Sequence, residues 1–254
     1  MTRATARTQP ETNIIRVVAA SMAGTTVEWY DFFLYGVAAA VVFPSVFFPA
    51  SDPTIGTLQS LATFAIGFVA RPFGGLVFGH FGDRIGRKKL LVLSLLLMGV
   101  STFAIGLLPG YATIGVLAPT LLVVLRLIQG FALGGEWGGA VLIVSEHGDP
   151  ARRGYWASWP QAGVPVGQLL ANGLLFVLSA TQSKEDFVAW GWRIPFLLSA
   201  VLVLIGLYVR LAVEESPVFK EAKKQDVRTE KPFVTAFRDG YDAPWQLLEA
   251  TVEP

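Results

Sequence analysis

The chain has 254 residues, of which 53% are hydrophobic and only 15% charged, and its mean hydropathy is +0.53. This composition excludes an ordinary soluble domain and is typical of a membrane protein, whereas the formal net charge of +1 is uninformative because the distribution of charge matters more than its sum. The chain has no cysteine and two histidines, which excludes disulfides and cysteine-ligated metals. We therefore expect neither a metal site nor a cofactor.

Six apolar segments follow one another along the chain. Each is long enough, at about 20 residues, to cross a hydrocarbon core of about 30 Å. They lie at 17–41, 55–79, 90–108, 118–143, 157–180 and 192–212, with turn-forming prolines and glycines in most of the breaks between them. The sequence thus predicts an all-α membrane protein. A six-helix transmembrane bundle at 17–213 is preceded by a cytoplasmic tail at 1–16 and followed by a cytoplasmic linker or tail at 214–254.

Basic residues recur at every second connection between these segments. They precede the first segment, and they follow the second, the fourth and the sixth. On the opposite side only Lys184 lies between segments, with Arg193 at the start of the sixth. Because lysine and arginine accumulate on the cytoplasmic side of membrane proteins, we expect a multi-pass plasma-membrane protein with both termini in the cytoplasm.

Two acids interrupt the first segment, and an ionisable group at mid-membrane costs about 2.5–3.5 kcal/mol, so it marks a candidate functional site. Glu28 and Asp31 are three residues apart and share one helical face. The fourth segment carries a second polar stripe of Arg126, Gln129 and Glu136. At about 1.5 Å per residue, Arg126 and Asp31 fall at the same depth, so we expect Asp31 or Glu28 to pair with Arg126.

Two interpretations of this charged cluster stay open. It is either a structural ion pair between the first and fourth helices, or a proton-linked site in which two acids facing one arginine leave an excess carboxylate to exchange protons. Glu136 lies among four glycines, which let neighbouring helices approach closely. For this region, helix packing alone and a direct role of Glu136 in ligand binding both stay open.

Weaker candidates for a polar cavity lie on two other segments or beside the acids. Arg71 either lines the pathway or extends to the cytoplasmic interface. Three amides of the fifth segment fall on one face, which suits a water-filled cavity better than lipid. The weaker candidates are Tyr30, Tyr35, Arg71, Gln161, Gln168 and Asn172.

The basic turn after the second segment reads Gly79-His80-Phe81-Gly82-Asp83-Arg84-Ile85-Gly86-Arg87-Lys88-Lys89. This turn resembles the loop between helices 2 and 3 of the major facilitator superfamily. Further runs resemble its metabolite:proton symporter branch: Thr26-Val27-Glu28-Trp29-Tyr30-Asp31-Phe32-Phe33, Arg126-Leu127-Ile128-Gln129-Gly130-Phe131, Glu136-Trp137-Gly138-Gly139, Trp190-Gly191-Trp192-Arg193-Ile194-Pro195-Phe196 and Glu214-Glu215-Ser216-Pro217-Val218-Phe219.

The resemblance implies a fold of two six-helix bundles around a central cavity, each an inverted 3+3 repeat, of which this chain matches the N-terminal one. It implies that Arg126 takes part in proton coupling or substrate binding, and that substrates are small organic carboxylates or zwitterions. It also implies a conformational latch in the basic turn. The residues of that latch are Gly79, Asp83, Arg84, Gly86, Arg87 and Lys88. The alternative interpretation of Asp83 is an ordinary helix cap within a surface network of charges.

The family pattern is lost near Arg238, so we expect a truncated or frameshifted product, or a half that assembles with a C-terminal six-helix half or with a second copy. The leading hypothesis is the N-terminal half of a proton-coupled symporter in the lipid bilayer. The alternative is a six-helix fragment that does not transport, serving at most as an assembly partner. An enzyme is not expected, because the sequence offers no nucleophile–base pair and no phosphate-binding loop. Nucleic-acid binding is not expected either, since membrane topology already explains the basic turns.

Overall fold

The structure is a computed structural model, and it describes residues 14–85, 87–134, 144 and 152–212. Within these residues the chain forms six long helices. They are α1 (Ile14–Val41), α2 (Pro53–Ile85), α3 (Arg87–Leu107), α4 (Leu117–Leu133), α5 (Gly163–Thr181) and α6 (Arg193–Ala212). The predicted all-α bundle is confirmed.

Short helical segments lie between or before the long ones. Phe43–Phe47 and Tyr111–Ile114 are single turns in the connections α1–α2 and α3–α4. Before α5, Arg153–Ser158 leads into a 3₁₀ turn at Trp159–Ala162, where Pro160 disrupts regular α-helical hydrogen bonding. Before α6, Lys184–Asp186 is followed by a π-helical turn at Phe187–Gly191.

Four stretches of helix are long and apolar enough to cross a membrane: Pro53–Phe81, Lys88–Leu107, Gly154–Thr181 and Arg193–Leu211. They correspond to the second, third, fifth and sixth predicted segments. Leu117–Leu133 is a shorter apolar helix, and the remainder of the predicted fourth segment lies mostly outside the described residues. Helix α1 has 28 residues, which is about 42 Å at 1.5 Å per residue, and carries the two acids.

The basic turn differs from its expected form, because α2 continues through it. The predicted second segment ends at residue 79, whereas α2 runs to Ile85 and α3 begins at Arg87. Gly79, Asp83 and Arg84 therefore belong to the last turns of α2 rather than to a loop. A helix of 33 residues is about 50 Å long, which is longer than a hydrocarbon core of about 30 Å is thick.

The helices pack as two matched sets of three. The most extensive contacts join α1 to α5, α2 to α4, and α3 to α6, and α3 also packs on α4 as α1 does on α6. Exchanging the first three helices with the last three, in order, converts α1–α5 into α2–α4 and α3–α4 into α1–α6, and leaves α3–α6 unchanged. This is the symmetry of the predicted 3+3 inverted repeat.

Glycines bring the two equivalent pairs, α2–α4 and α1–α5, into close contact. A Cβ atom added at Gly130 of α4 would overlap the carbonyl oxygen of Gly67 in α2. A Cβ added at Gly163 of α5 would lie 2.7 Å from the carbonyl oxygen of Met22 in α1, and one at Gly167 would lie 2.6 Å from that of Thr26. Membrane helices commonly approach each other through such small residues. These contacts fix how closely α1, α2 and α4 surround the charged side chains.

A cluster of aromatic residues fills the end of the bundle where α1 ends and α6 begins. Phe43, Phe47, Trp192 and Phe196 are fully buried there and meet largely edge to face, with ring centroids 5.1–6.1 Å apart. Edge-to-face packing suits the quadrupoles of the rings. This packed end adjoins Tyr35, which belongs to the same apolar cluster and contacts the charged site.

Candidate functional site

Asp31 is the centre of a buried polar network that joins three helices. Its Oδ1 accepts hydrogen bonds from Thr102 Oγ1 of α3 at 2.6 Å and from Gln129 Nε2 of α4 at 2.9 Å, and its Oδ2 accepts from Arg126 Nη1 at 3.3 Å. The side chains of Asp31 and Arg126 are 2% and 3% exposed. Of the two pairings expected for Arg126, the one with Asp31 is observed. A buried ion pair persists where further hydrogen bonds satisfy its members, as they do for Asp31 here.

The guanidinium of Arg126 is held between polar and aromatic partners. Nη1 also donates to Gln129 Oε1 at 3.2 Å, and the group lies 4.1 Å from the ring centroid of Tyr35 and 4.8 Å from that of Phe64. Stacking of a guanidinium on aromatic faces is a favourable cation–π contact. Gly67 provides room for Arg126, because a Cβ atom there would lie 2.8 Å from its Nε. That Nε, although buried, has no hydrogen-bond partner among the residues that the structure describes.

Glu28 forms a second ion pair one turn away on α1. Its Oε1 accepts a hydrogen bond from Arg71 Nη2 of α2 at 2.8 Å. The expectation of two acids facing one arginine is therefore wrong, since each acid has its own arginine and the described cluster carries no excess carboxylate. Of the two placements expected for Arg71, its pairing with Glu28 favours the one along the pathway. Arg71 lies against Phe68 of its own helix, 5.5 Å from the ring centroid, and its side chain is 33% exposed.

A small open pocket lies beside both arginines. Helices α1, α2 and α4 form its walls, which are the residues Phe32, Gly67, Phe68, Arg71, Arg126, Gly130 and Leu133. Although two arginines are among these residues, the surface that the pocket exposes is almost entirely apolar. Its interior has room for about one water molecule.

The weaker predicted residues fall into different surroundings. Tyr35 lies under Arg126, with its hydroxyl 2.6 Å from Thr63 Oγ1. The hydroxyl of Tyr30 instead donates to the carbonyl oxygen of Pro195 at 2.7 Å, away from the charged residues. On the fifth segment Gln161 is in the 3₁₀ turn and exposed, Gln168 is exposed, and Asn172 is half-buried. The structure does not bring these three amides to the ion pairs.

Several predicted residues cannot be placed. Glu136 and Gly86 lie outside the described residues, as do the tails at 1–13 and 213–254, and the side chains of Asp83, Arg84 and Arg87 are not described either. Gly79 is exposed near the end of α2. Lys88 Nζ donates to the carbonyl oxygen of Leu211 at 2.8 Å, which ties the start of α3 to the end of α6. The latch remains a prediction.

Sequence reasoning missed Thr102, Thr63 and Phe64. Thr102 contacts both Asp31 and Gln129 Nε2, the latter at 2.9 Å. Its hydroxyl stands beside that of Ser101 in an apolar helix, but a helical threonine can equally bond its own preceding turn, so the sequence carried no specific signal for its role. Phe64 and Thr63 carried no signal either, because aromatic and hydroxyl residues are common on membrane helices.

Comparison with known proteins identifies the class to which this architecture belongs. The family model for sugar (and other) transporters matches residues 16–242. The chain is 56% identical over 220 residues to the inner membrane metabolite transport protein YhjE of Escherichia coli K12, covering 87% of this chain and 50% of that protein. It is 50% identical over 216 residues to the shikimate transporter of Escherichia coli K12, covering 85% of this chain and 49% of that protein. It is 43% identical over 206 residues to the proline/betaine transporter of Salmonella typhimurium, covering 81% of this chain and 41% of that protein.

The fold has close counterparts among solved structures. The xylose transporter XylE of E. coli, in a partially occluded inward-open conformation, superimposes with a TM-score of 0.72 at 18% sequence identity, over 83% of this chain and 52% of that chain. The chain therefore belongs to the sugar (and other) transporter family of the major facilitator superfamily, a family of transporters and not of enzymes. It is a multi-pass membrane protein, and it spans about half the length of the curated relatives it matches.

Proposed function

We propose that the chain is one half of a proton-coupled symporter for a small organic carboxylate or zwitterion in the bacterial inner membrane. The observation that carries this proposal is the buried ion pair of Asp31 and Arg126, held by Gln129 and Thr102 where α1, α3 and α4 meet. An acid inside a membrane-spanning bundle is costly and therefore marks a candidate functional site, and proton relays in membrane proteins use acids of this kind. The relatives named for shikimate and for proline and betaine transport support the choice of substrate class.

The proposed mechanism couples protonation of Asp31 to alternating access. With Asp31 ionised, Arg126, Gln129 and Thr102 bond to it and hold α1, α3 and α4 together. Protonation of Asp31 removes the charge that pairs with Arg126, so these helices become free to shift with substrate bound. Alternating access needs a second bundle that rocks against this one around the site, so we propose a C-terminal six-helix half, or a second copy of the chain, as partner.

The transport hypothesis is tested in lipid vesicles. The chain is reconstituted alone and together with a C-terminal six-helix half, and uptake of labelled shikimate and of proline is followed under an imposed proton gradient. We expect accumulation only with the second half, and the Asp31→Asn and Glu28→Gln variants should each lose accumulation while keeping some exchange. Normal accumulation by both variants would show that the acids are structural. Robust uptake by the chain alone would instead support a dimer of halves.

Orientation is tested by cysteine labelling, which suits a chain without cysteine. A cysteine in place of Lys184 should react with a membrane-impermeant reagent from outside the cell, and one in place of Arg87 should not, because the basic connections are proposed to be cytoplasmic. The reverse pattern of accessibility contradicts the proposed topology.

A further inference from the structure

Thr102 of α3 completes a triangle of polar atoms around one oxygen of Asp31. Its Oγ1 lies 2.6 Å from Asp31 Oδ1 and 2.9 Å from Gln129 Nε2, and Gln129 Nε2 lies 2.9 Å from the same Asp31 oxygen. A further acceptor, the carbonyl oxygen of Met98 one turn earlier in α3, lies 2.9 Å from Thr102 Oγ1. A hydroxyl has one hydrogen and two lone pairs, so Thr102 donates either to Asp31 or to Met98.

The other two side chains that bond to Asp31 in the described part of the chain face it with donors. The guanidinium of Arg126 has no acceptor atom, and the amide nitrogen of Gln129 has none either. Turning the Gln129 amide over would bring its oxygen to Asp31, but its NH₂ group would then face Arg126 Nη1, which now donates to Gln129 Oε1 at 3.2 Å. Of these three described partners, Thr102 is therefore the one that can accept a hydrogen from Asp31 without breaking another bond.

We propose that Thr102 is a positioning residue for the proton of Asp31, with a hydroxyl that reverses its direction when Asp31 is protonated. With Asp31 ionised, Thr102 donates to Oδ1. When a proton released by a hydronium ion of the aqueous phase binds to Oδ1, the new O–H donates to Thr102 Oγ1, and the Thr102 hydroxyl turns to the carbonyl oxygen of Met98. One O–H bond forms at Asp31, and no covalent bond of Thr102 breaks. The inference rests on the proposed proton-coupled function and adds a residue to its proton site.

Of the two carboxylate oxygens, Oδ1 is the better place for this proton. A proton on Oδ2 would face the cationic guanidinium of Arg126, whose Nη1 lies 3.3 Å away, whereas the groups that bond to Oδ1 are a hydroxyl and an amide, both neutral. The two hydrogens of Gln129 Nε2 point to Asp31 Oδ1 and Thr102 Oγ1 in either state. Each polar atom of the triangle then has a partner before and after protonation, which matters because an unsatisfied buried donor is costly.

The charged and titratable groups around Asp31 leave this role to a neutral hydroxyl. Helices α3 and α5 carry no such group in their parts at 90–107 and 163–181. On α6, Arg210 lies against Gly24, about two turns along α1 from Asp31, and Arg193 bonds to the carbonyl oxygen of Leu108 at the other end of that helix. The remaining described groups near Asp31 are Arg126 of α4, Arg71 of α2, which pairs with Glu28, and Glu28, Tyr30 and Tyr35 of α1 itself.

Infrared difference spectroscopy of the full chain in lipid nanodiscs tests this role, because the stretching bands of a carboxylic acid and of a carboxylate report the two protonation states separately. Spectra at acidic and alkaline pH are subtracted, and the bands of Asp31 are those that Asp31→Asn removes. We expect Thr102→Val to displace both bands, since the ionised acid loses a donor and the protonated acid loses its acceptor. Thr102→Ser keeps the hydroxyl and should keep both bands in place. Thr102→Ala, which also lacks the hydroxyl, gives a second test if Thr102→Val folds poorly.

Ser101→Ala is the matched control. Ser101 is the neighbouring buried hydroxyl of α3, and within the described part of the chain it bonds to the carbonyl oxygen of Leu97, at 2.8 Å. Its removal should leave both Asp31 bands where they are, and an equal displacement in Ser101→Ala would overturn the inference. Displacement of the carboxylate band alone in Thr102→Val would show that Thr102 serves only the ionised acid. Unmoved bands would show that it serves neither form, and both results would also overturn the inference.

Transport separates this role from the proposed function. In vesicles that also hold a C-terminal six-helix half, Thr102→Val should lower proton-driven accumulation by about 10-fold, the scale expected for one lost buried hydrogen bond, and Thr102→Ser should retain it. Wild-type accumulation in Thr102→Val would overturn the role of Thr102 and leave the transporter standing. Displaced bands without any uptake by the wild type would do the reverse. If Asp31→Asn removes no carboxylic acid band, Asp31 takes up no proton, and both the role of Thr102 and the proton coupling fail.

Discussion

Two acids one turn apart on α1 have ion-pair partners in very different surroundings. Asp31 is enclosed by donors from α3 and α4 and pairs with an arginine that is 3% exposed, whereas Glu28 pairs across to α2 with an arginine that is 33% exposed beside an open pocket. The first arrangement holds three helices in one geometry. The second leaves one member of the pair partly exposed. The difference shows that equal spacing on one helical face does not give two acids equal roles.

The largest expected effect is a difference in the free energy of unfolding between a variant of the Asp31 pair and a variant of the Glu28 pair. Asp31→Asn removes the partner of a buried arginine and should lower the free energy of unfolding by about 3–5 kcal/mol. Glu28→Gln leaves an arginine that reaches the open pocket and should cost about 1 kcal/mol. Unfolding of both variants and the wild type in the same detergent, followed by circular dichroism, checks the difference. Equal losses of unfolding free energy in the two variants would show that the two ion pairs stabilise the fold equally, which would contradict the contrast drawn between Asp31 and Glu28.

The second effect concerns the helices that carry the two arginines. Gly130→Ala would drive a Cβ into the carbonyl oxygen of Gly67, forcing α4 away from α2 and distorting the pocket between Arg71 and Arg126. We expect a loss of about 1–3 kcal/mol in unfolding free energy, typical of overpacking. Gly173→Ala on α5 is the matched control, because no atom lies within 4 Å of the added Cβ. It should be neutral or stabilise by up to about 1 kcal/mol. A neutral Gly130→Ala would show that the close α2–α4 contact is not required.

The sequence was sufficient to predict the bundle, and to predict that Arg126 pairs with Asp31 or Glu28, for one physical reason. A charge in an apolar helix needs a partner at its own depth, and counting residues from the ends of two antiparallel helices gives that depth. The pairing of Arg71 with Glu28 was not predicted. Helix α2 begins at Pro53 and runs to Ile85, beyond both predicted ends at 55 and 79, so the predicted ends of the second segment do not give the depth of Arg71.

Thr102 and the glycine contacts were beyond prediction for a different reason. A threonine inside a helix can bond its own preceding turn, and Thr102 Oγ1 does lie 2.9 Å from the carbonyl oxygen of Met98, so its presence signals no partner on another helix. Many of the chain's 26 glycines lie in apolar segments, and the sequence does not say which of them face a neighbouring backbone. Both features depend on how helices rotate against each other, which packing decides.

The smallest expected effect tests whether Asp31 owes its distinct surroundings to Thr102. Thr102→Val keeps the shape of the side chain but removes the donor to Asp31 Oδ1 and the acceptor of Gln129 Nε2. Because Arg126 and Gln129 still bond to Asp31, we expect a loss of only about 1–2 kcal/mol in unfolding free energy. The exposed Thr181→Val, whose hydroxyl bonds only within its own helix at Val177 and Leu178, is the control and should change stability by less than about 0.5 kcal/mol. If Thr102→Val matches that control, Thr102 contributes little, and the contrast between the two acids rests on Arg126 and Gln129 alone. If it approaches the loss caused by Asp31→Asn, the network acts as one unit in which the hydroxyl is as necessary as the charge.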